Sequence, residues 1–590
     1  MHGSVDFMKF PAFRGSKCRG RGSYTALRLL SAGAVVIGLV NVVKVEAAGQ
    51  AVTLAAFGPR VLVPGMTGTN LYGDTWDGAW SSNGVLYLQH NDGVGFNHGQ
   101  FVHDRICSLE GSPQVASSLS GTNLNPGGLS TTLSNSPCYS TGLYEVDGVL
   151  YHNICYSSQT PGAYVFTNTS TLKSTDGGNN WINDLGQTNI IPTNNVSNSM
   201  FPNALWGEVN FVKYGAGGVA PNVDNAQAFV YLCAGGGGFR LGRVARADLP
   251  KLDKTKIEYF TGGQGIADSS WTNDINQSVA LSTNKSSATA MTYNGSLARY
   301  IMTSFSSDSF ATPPVQSTLR VMEAPHPWGP WTLLLDENVN NEMGDNLTWA
   351  FLMPKFTSSD GSKMWMSVAG RAPYGLQFVP VYLTTQAIQV QEAENSAITG
   401  GIVATNIAGY SGTGYVSGLS TNGDKCEFAF AAAVAGQYIV QARYNTSAYR
   451  NLGFYVNGES RGELFLGTSE QTYATWTDIS LLTWLESGTN LVRLQCDDSV
   501  GSVNLDKVTL ALYTTNVVSG LQATALRGGT NGITMDFDTL RGVAYALEWK
   551  SNMTSAAWLP LTNFTGSGAT VHVDFTNQSR QGFCRIGITP

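Results

Sequence analysis

Five strand-like segments of similar character, spaced on average about 70 residues apart, constrain this chain more than any other feature. They are VLYLQH at 85–90, GVLYHNICY at 148–156, AFVYLC at 228–233, ARYIMTSF at 298–305 and KMWMSVAG at 363–370. Each is short and apolar and is bounded by Gly, Asn and Ser, so each reads as a strand that ends in a turn. No convincing amphipathic helix lies between them. Charged residues make up only 13% of the chain and aromatics 11%, which suits tight-turned sheets better than long surface helices. The class expected is all-β.

A repeat of this length suits four-stranded blades around an axis. Residues 48–385 are therefore expected to form a five-bladed β-propeller. A chain of 590 residues exceeds what one hydrophobic core supports, since cores stop growing near ~250–300 residues, and the texture changes accordingly near Ile388. In GQYIVQARYN, strict alternation puts Tyr438, Val440, Ala442 and Tyr444 on one face, and LGFYVNG ends in an Asn-Gly turn. Residues 388–513 are expected to be a jelly-roll β-sandwich. Residues 521–590 alternate again in ITMDF, YALEWK and VHVDF and are expected to form a small C-terminal β-sandwich without catalytic groups.

At the N-terminus, Lys9, Arg14, Lys17, Arg19, Arg21 and Arg28 precede the apolar run LLSAGAVVIGLVNVV and a small-residue exit near Ala47. Residues 1–47 read as a secretory signal peptide. A membrane anchor is the alternative reading, but the run is shorter than the ~20 residues a spanning helix needs. Removing seven basic and two acidic residues moves the formal charge from -7 to -12. With no basic run left, nucleic acid is excluded as a partner. A secreted, periplasmic or cell-surface monomer without a later membrane span is expected. The seven remaining cysteines have no zinc-type spacing; Cys426 and Cys496 are the pair most suited to a disulfide, with two packed free thiols as the alternative.

Two motifs add resemblance to pattern. Ser174-Thr-Asp176-Gly-Gly178-Asn-Asn-Trp181 resembles the Asp-box hairpin, and Ser358-Ser-Asp360-Gly-Ser362-Lys-Met-Trp365 is a degenerate copy. In that motif Asp bonds the turn backbone and Trp packs beneath; the resemblance implies a structural turn outside a propeller blade. GDTWDGAWSSNGVLYLQHNDGVGF from Gly73, RICSLEG from Arg105, LGRVARADLPK from Leu241, MTYNGSLARYIM from Met291 and TLRVMEAPHPWGPWT from Thr318 follow in order. With MPKFTSSDGSKMWMSVAG from Met353, they resemble a five-bladed propeller family of formerly unknown function that includes endo-D-arabinanases. Related sequences often carry an acid after the second Trp of the first motif, where this chain has Ser81, Ser82 and Asn83. Glu392-Ala-Glu394, GYSGTGYV from Gly409 and Asn504-Leu-Asp506 resemble carbohydrate-binding modules of families six and thirty-five.

The resemblance to carbohydrate-binding modules implies a structural Ca²⁺ on Glu392, Glu394 and Asp506, an ion that takes six to eight oxygens. It also implies a sugar contact at Asn504, with Tyr449 as an aromatic platform and Trp476 as either core or platform. In the first region, glycoside hydrolysis needs two carboxyl groups flanking the scissile bond. Asp92, after VLYLQH, and Asp74 are the leading candidates, with Asp77 nearby. An Asp beside Gly is also a common turn residue. Glu208 in LWGEVNF and Asp345 in EMGDNLTW sit among aromatics that would desolvate a carboxyl. Arg105 and His103 are candidates for holding a sugar hydroxyl or carboxylate, or else for a surface ion pair with Asp104.

The function expected is a secreted, endo-acting glycoside hydrolase working on polysaccharide, its binding module raising the local substrate concentration. The alternative is a non-catalytic glycan-binding or adhesion protein. A sialidase-like enzyme or a lyase is a minor alternative, because three arginines converging on a carboxylate are not evident.

Overall fold

The computed structural model describes residues 49–590 except 67–69, 97–98, 125–137, 161–162, 191–198, 221–227, 236–237, 266–268, 282–286, 309–314, 340–346, 372, 468–475, 499–500, 515–522, 530–531, 539–543, 551–558, 566–569, 576–582 and 589–590. The expected signal segment and Asp345 lie outside the described residues. No helix among the described residues is long and apolar enough to cross a membrane. Apart from a few 3₁₀ turns, the regular elements are strands.

Short β1 (Leu54–Phe57) and β2 (Val61–Leu62) come first, followed by five sheets in chain order. Sheet 1 is β3 (Gly78–Trp80), β4 (Leu86–His90), β5 (Arg105–Ser112) and β6 (Val115–Asn123). Sheet 2 is β7 (Cys138–Val146), β8 (Val149–Thr160) and β9 (Ala163–Ser174). Sheet 3 runs through β10 (Val209–Lys213), β11 (Phe229–Ala234), β12 (Arg240–Ala245), β13 (Ile257–Gly262) and β14 (Ser270–Thr272). Sheet 4 is β15 (Ser287–Asn294), β16 (Arg299–Asp308), β17 (Val315–Ala324) and β18 (Thr332–Asn338). Sheet 5 is β19 (Thr348–Met353), β20 (Lys363–Arg371) and β21 (Tyr374–Thr384), and both β1 and β2 add to β21. Consecutive strands within each sheet pair antiparallel. The first strands adjoin one another in a ring, β3 against β7, β7 against β10, β10 against β15, β15 against β19 and β19 against β3. Each of the five recurring sequence segments is the second strand of one sheet, flanked on both sides and buried (β4, β8, β11, β16 and β20).

A second region packs on this one. Its first sheet is β23 (Ala397–Thr399), β26 (Lys425–Ala432), β31 (Gly488–Gln495), β28 (Arg450–Val456) and β29 (Glu459–Leu466). The facing sheet runs through β30 (Thr477–Leu485), β27 (Gly436–Asn445), β32 (Val503–Thr514), β25 (Tyr415–Leu419) and β24 (Ile402–Ala404), with β22 (Gln389–Glu392) also on β32. Tyr438, Val440, Ala442 and Tyr444 of β27 enter the core between the sheets with Phe428, Phe430, Phe454 and Leu494. This is the alternation expected of GQYIVQARYN. The opposite face of β27 is buried as well: Ile439 joins Leu54, Ala56, Tyr382, Leu482 and Ala511 in a cluster shared with the first region. Gln441 Nε2 donates to the carbonyls of Ala55 at 2.6 Å and Leu334 at 2.9 Å. Buried Glu337 accepts from the Ser480 amide at 3.0 Å and its hydroxyl at 2.5 Å. The binding region is therefore docked through a buried polar and apolar seam.

Asn457 (φ 53°) and Gly458 (φ 86°) form the two-residue turn between β28 and β29, the left-handed pair a tight hairpin requires. Cys426 and Cys496 are both buried free thiols, which corrects the disulfide expectation. The register explains it: Cys426 sits opposite Leu494, so Cys496 lies two residues past the directly facing position. Residues 523–588 contain two three-stranded antiparallel sheets, β33 (Ala523–Gly529), β34 (Gly532–Asp538) and β37 (Thr570–Phe575), and β36 (Leu559–Thr565), β35 (Ala544–Lys550) and β38 (Phe583–Ile588).

Candidate functional site

The ladder of sheet 1 extends one step beyond its strands. Asp74 and Asn91 exchange backbone hydrogen bonds, both 2.8 Å, and Asp92 follows with φ 49°. Asp tolerates that left-handed conformation better than most residues, and it leads the chain out into the loop before β5. The same step brings the Asp74 and Asp92 carboxyls into electrostatic contact. Burial first, and the Asp92 charge second, push the Asp74 pKa up to about 7; hydrogen bonds from Tyr374 and Thr75 oppose the rise. Tyr374 Oη donates to Asp74 Oδ2 at 2.7 Å and Thr75 Oγ1 to Oδ1 at 2.8 Å. Asp92 is also raised by burial, against the pull of His103, whose Nδ1 lies 2.5 Å from Asp92 Oδ1. Acid–base chemistry on a glycosidic bond requires a protonated carboxyl beside an ionised one, two states that differing environments can impose.

Beneath this pair the side chains are locked. Asn91 bonds the Ser140 backbone twice, Nδ2 to O at 3.0 Å and Oδ1 from N at 2.8 Å, which joins sheets 1 and 2. His90, its ring 4.6 Å from Trp76 and tilted by 34°, is held neutral, its pKa lowered to about 3 by burial. A methyl group on Gly73 or Gly95 would collide with the His90 ring, so neither position accepts a side chain. Asp104 is buried rather than in a surface ion pair; it accepts from Ser140 Oγ and lies 3.2 Å from His152 Nε2. Arg105 is buried too, donating to the carbonyls of Val94 at 3.1 Å and Gln100 at 2.7 Å. That corrects its expected role as a sugar contact: its guanidinium fixes the 94–100 loop. Asp77 is a buried partner of Lys213 at 2.8 Å and accepts from the Leu143 amide at 3.0 Å. It ties sheets 1, 2 and 3 together, a role that a contact spanning 136 residues of sequence hides from motif reading.

Glu208 immediately precedes β10. Val209 O receives Thr141 Oγ1 at 2.8 Å and Asn153 Nδ2 at 3.1 Å, so Glu208 stands at the same end of the sheets as Asn91 and Asp92. Its charge, after burial, helps push the Cys155 thiol up. The 81–85 turn lies at the other end, where the Ser82 amide donates to Glu145 Oε2 at 2.5 Å beside the 147–148 hairpin. The missing acid after Trp80 is therefore remote from Asp74 and Asp92. The 174–181 turn follows β9 at that far end; Asp176 accepts from the Asn180 amide at 2.9 Å, and Trp181 is fully buried with Nε1 on Gly178 O at 3.1 Å.

In the binding region β22 pairs with β32, which gathers Glu392, Glu394 and Asp506 around the 411–413 turn. Ser411 donates through N to Asp506 Oδ1 and through Oγ to Glu392 Oε2, both 2.7 Å. The Thr413 amide donates to Glu394 Oε1 at 2.7 Å, and Arg443 Nη1 to Asp506 Oδ2 at 3.0 Å. Glu394 Oε2 is buried without a hydrogen-bond partner. Among the described residues no three acidic, His or Cys side chains are spaced to chelate an ion; the three carboxylates are instead spread around one turn and held by protein donors. The donor set is nevertheless all oxygen, the chemistry a hard cation takes.

Asn504 is buried, its amide committed to Ser417 Oγ at 2.9 Å and Asn445 Oδ1 at 3.2 Å. This corrects the expectation that it faces sugar. Tyr449 is exposed, as a platform must be. Trp476 is half-buried, edge-on to Tyr415 at 5.1 Å with Nε1 on Ala408 O at 3.0 Å.

Residues 389–513 match the family described as carbohydrate binding module (family 35). A cycloisomaltooligosaccharide glucanotransferase of Niallia circulans is 34% identical over 25% of this chain and 15% of its own length. An exo-beta-D-glucosaminidase of Amycolatopsis orientalis is 34% identical over 20% of this chain and 12% of its own. The chain thus spans 15% or less of these relatives, and the matched part is the binding region. A family 35 module from Clostridium thermocellum is 27% identical, covering 21% of this chain and 97% of that one (TM-score 0.20). An exo-beta-1,3-galactanase from Phanerochaete chrysosporium is 12% identical, covering 78% of this chain and all of that one (TM-score 0.37).

Proposed function

We propose that this chain is an exported glycoside hydrolase that cuts polysaccharide at the Asp74–Asp92 end of its first region, while the family 35 module keeps it on the polymer. In this reading the five sheets are the blades of a propeller. The ring of first strands and the addition of β1 to sheet 5 support it. The observation that carries the function is the burial of Asp74 beside Asp92, which raises the Asp74 pKa to about 7.

Asp74, protonated in a large fraction at neutral pH, acts as general acid. Asp92, reaching solvent and bonded to His103, acts as base or nucleophile. Glu208, which precedes the first strand of sheet 3, remains a candidate partner, as does Asp345 on the strength of its sequence alone. Ca²⁺, if bound by Glu392, Glu394 and Asp506, stiffens the module and takes no part in the reaction. Endo cleavage of a furanose-containing polymer is the specificity that the sequence resemblance suggests.

The test is incubation with arabinans, xylans, mannans and uronate polymers, followed by detection of released oligosaccharides from the wild type, Asp92→Asn and Asp74→Asn. Cleavage lost in both variants with polymer binding intact is expected. Polymer retention without cleavage by the wild type would replace the hydrolase with a glycan-binding protein.

A further inference from the structure

We infer that Phe101, His103, Tyr139 and Phe166 form a track for a single neutral polysaccharide chain, running from Asp92 toward Glu208. The inference rests on the reading of this end as the working face and adds the class of substrate it accepts. Four rings from two sheets follow one another: Phe101 to His103 at 5.9 Å and 87°, His103 to Tyr139 at 5.9 Å and 69°, Tyr139 to Phe166 at 6.0 Å and 89°. The row touches the candidate chemistry at its second ring and at its Phe166 end. His103 holds Asp92, and the Phe166 backbone packs so closely on Gly207 that a Cβ there would strike its carbonyl, which puts Glu208 at the far end.

The rings are also reachable. Phe101 is 44% exposed and the His103 side chain 47%, while Tyr139 and Phe166 are half-buried. Trp76, Trp181 and Trp206 of this region, by contrast, are fully buried. An edge-to-face row leaves alternate ring faces open, and an aromatic face is a good partner for the C–H face of a sugar whose hydroxyls stay with polar groups.

The charge beside the row sets the substrate class. The ionisable groups beside it are the carboxylates Asp92, paired with His103 of the row, and Glu208. Arg105, the cation closest in sequence, is buried on the Val94 and Gln100 carbonyls and has no access to a ligand. A polyuronate would place its carboxylates against like charges at short range, whereas an uncharged chain pays no such cost.

Hydrogen–deuterium exchange on the intact chain tests this, with arabino-, xylo-, manno- and galacto-oligosaccharides and an oligogalacturonide as probes. At least one neutral oligosaccharide is expected to protect peptides containing residues 101–105 and 138–141, and the oligogalacturonide to protect neither. Phe101→Ala and Tyr139→Ala should each raise the half-saturating concentration for that protection about fivefold to tenfold, with protection of residues 389–513 unchanged. If Tyr139→Ala lowers the melting temperature, Phe101→Ala at the exposed end carries the test. Protection confined to 389–513, equal protection by the oligogalacturonide, or an unaltered midpoint in Phe101→Ala would overturn the track. Protection by a neutral chain that no form of the protein cuts would leave the track standing and remove the hydrolase reading.

Discussion

Replacing Asp74 by Asn should stabilise the protein at alkaline pH while ending its catalysis. Asp74 is raised from 3.8 to about 7 by burial and by Asp92. Between those values the folded protein holds a proton on Asp74 that the unfolded chain has released. Stability therefore falls as pH rises through that window, by linkage. Each pH unit is worth ~1.4 kcal/mol, which sets an upper bound of about 4 kcal/mol above pH 7. Asp74 is only partly shielded, so screening reduces the expected cost to about 1–2 kcal/mol. Asn has nearly the shape of the protonated acid: its Oδ1 accepts from one of Tyr374 and Thr75, and its Nδ2 donates to the hydroxyl of the other, as the O–H of the acid would. Urea unfolding followed by tryptophan fluorescence at pH 4 and pH 8 measures the difference, the other titrating groups being common to both proteins. The variant should match the wild type at pH 4 and exceed it by about 1–2 kcal/mol at pH 8. A difference independent of pH, or a variant weaker at pH 8, would refute the claim that Asp74 is held protonated.

Other outcomes follow from the same contacts. Tyr374→Phe removes a donor that favours ionised Asp74, so the alkaline limb of the activity profile should move to higher pH; an unmoved limb separates Asp74 from the acid role. Asp77→Asn leaves the buried Lys213 ammonium without its carboxylate and should cost about 3–5 kcal/mol, most of it recovered in Asp77→Asn with Lys213→Met. Calorimetry would show equal melting for single and double variants if the pair contributes nothing. A chelator should lower the melting temperature of the binding region if Glu392, Glu394 and Asp506 hold Ca²⁺, and leave it unchanged if protein donors suffice.

Much of this molecule is legible in its sequence because strand burial is written with period two. Tyr438, Val440, Ala442 and Tyr444 reach the core as their spacing requires, and the five recurring segments each become the second strand of a sheet, the position most enclosed by neighbours. What sequence hides is the second face. Ile439 and Gln441 look like solvent positions, yet a neighbouring region covers them. Charged and amide side chains mislead for the same reason: Arg105 and Asn504 have the chemistry of sugar contacts, but backbone carbonyls occupy the first, and the Ser417 hydroxyl and Asn445 amide the second. Asp74 and Asp92 lie 18 positions apart, and the Asp74–Asn91 bridge, with the backbone bonds from Val94 to Leu71 and from Gly95 to Tyr72, brings them together.

The central claim is that Asp74 and Asp92 break a glycosidic bond. Its most direct measurement is chromatography of the oligosaccharides released from the polymer panel by the wild type and by Asp92→Asn at equal bound protein. Products from one neutral polymer with the wild type and none with Asp92→Asn is the result predicted; full release by the variant, or binding without release by the wild type, would contradict it.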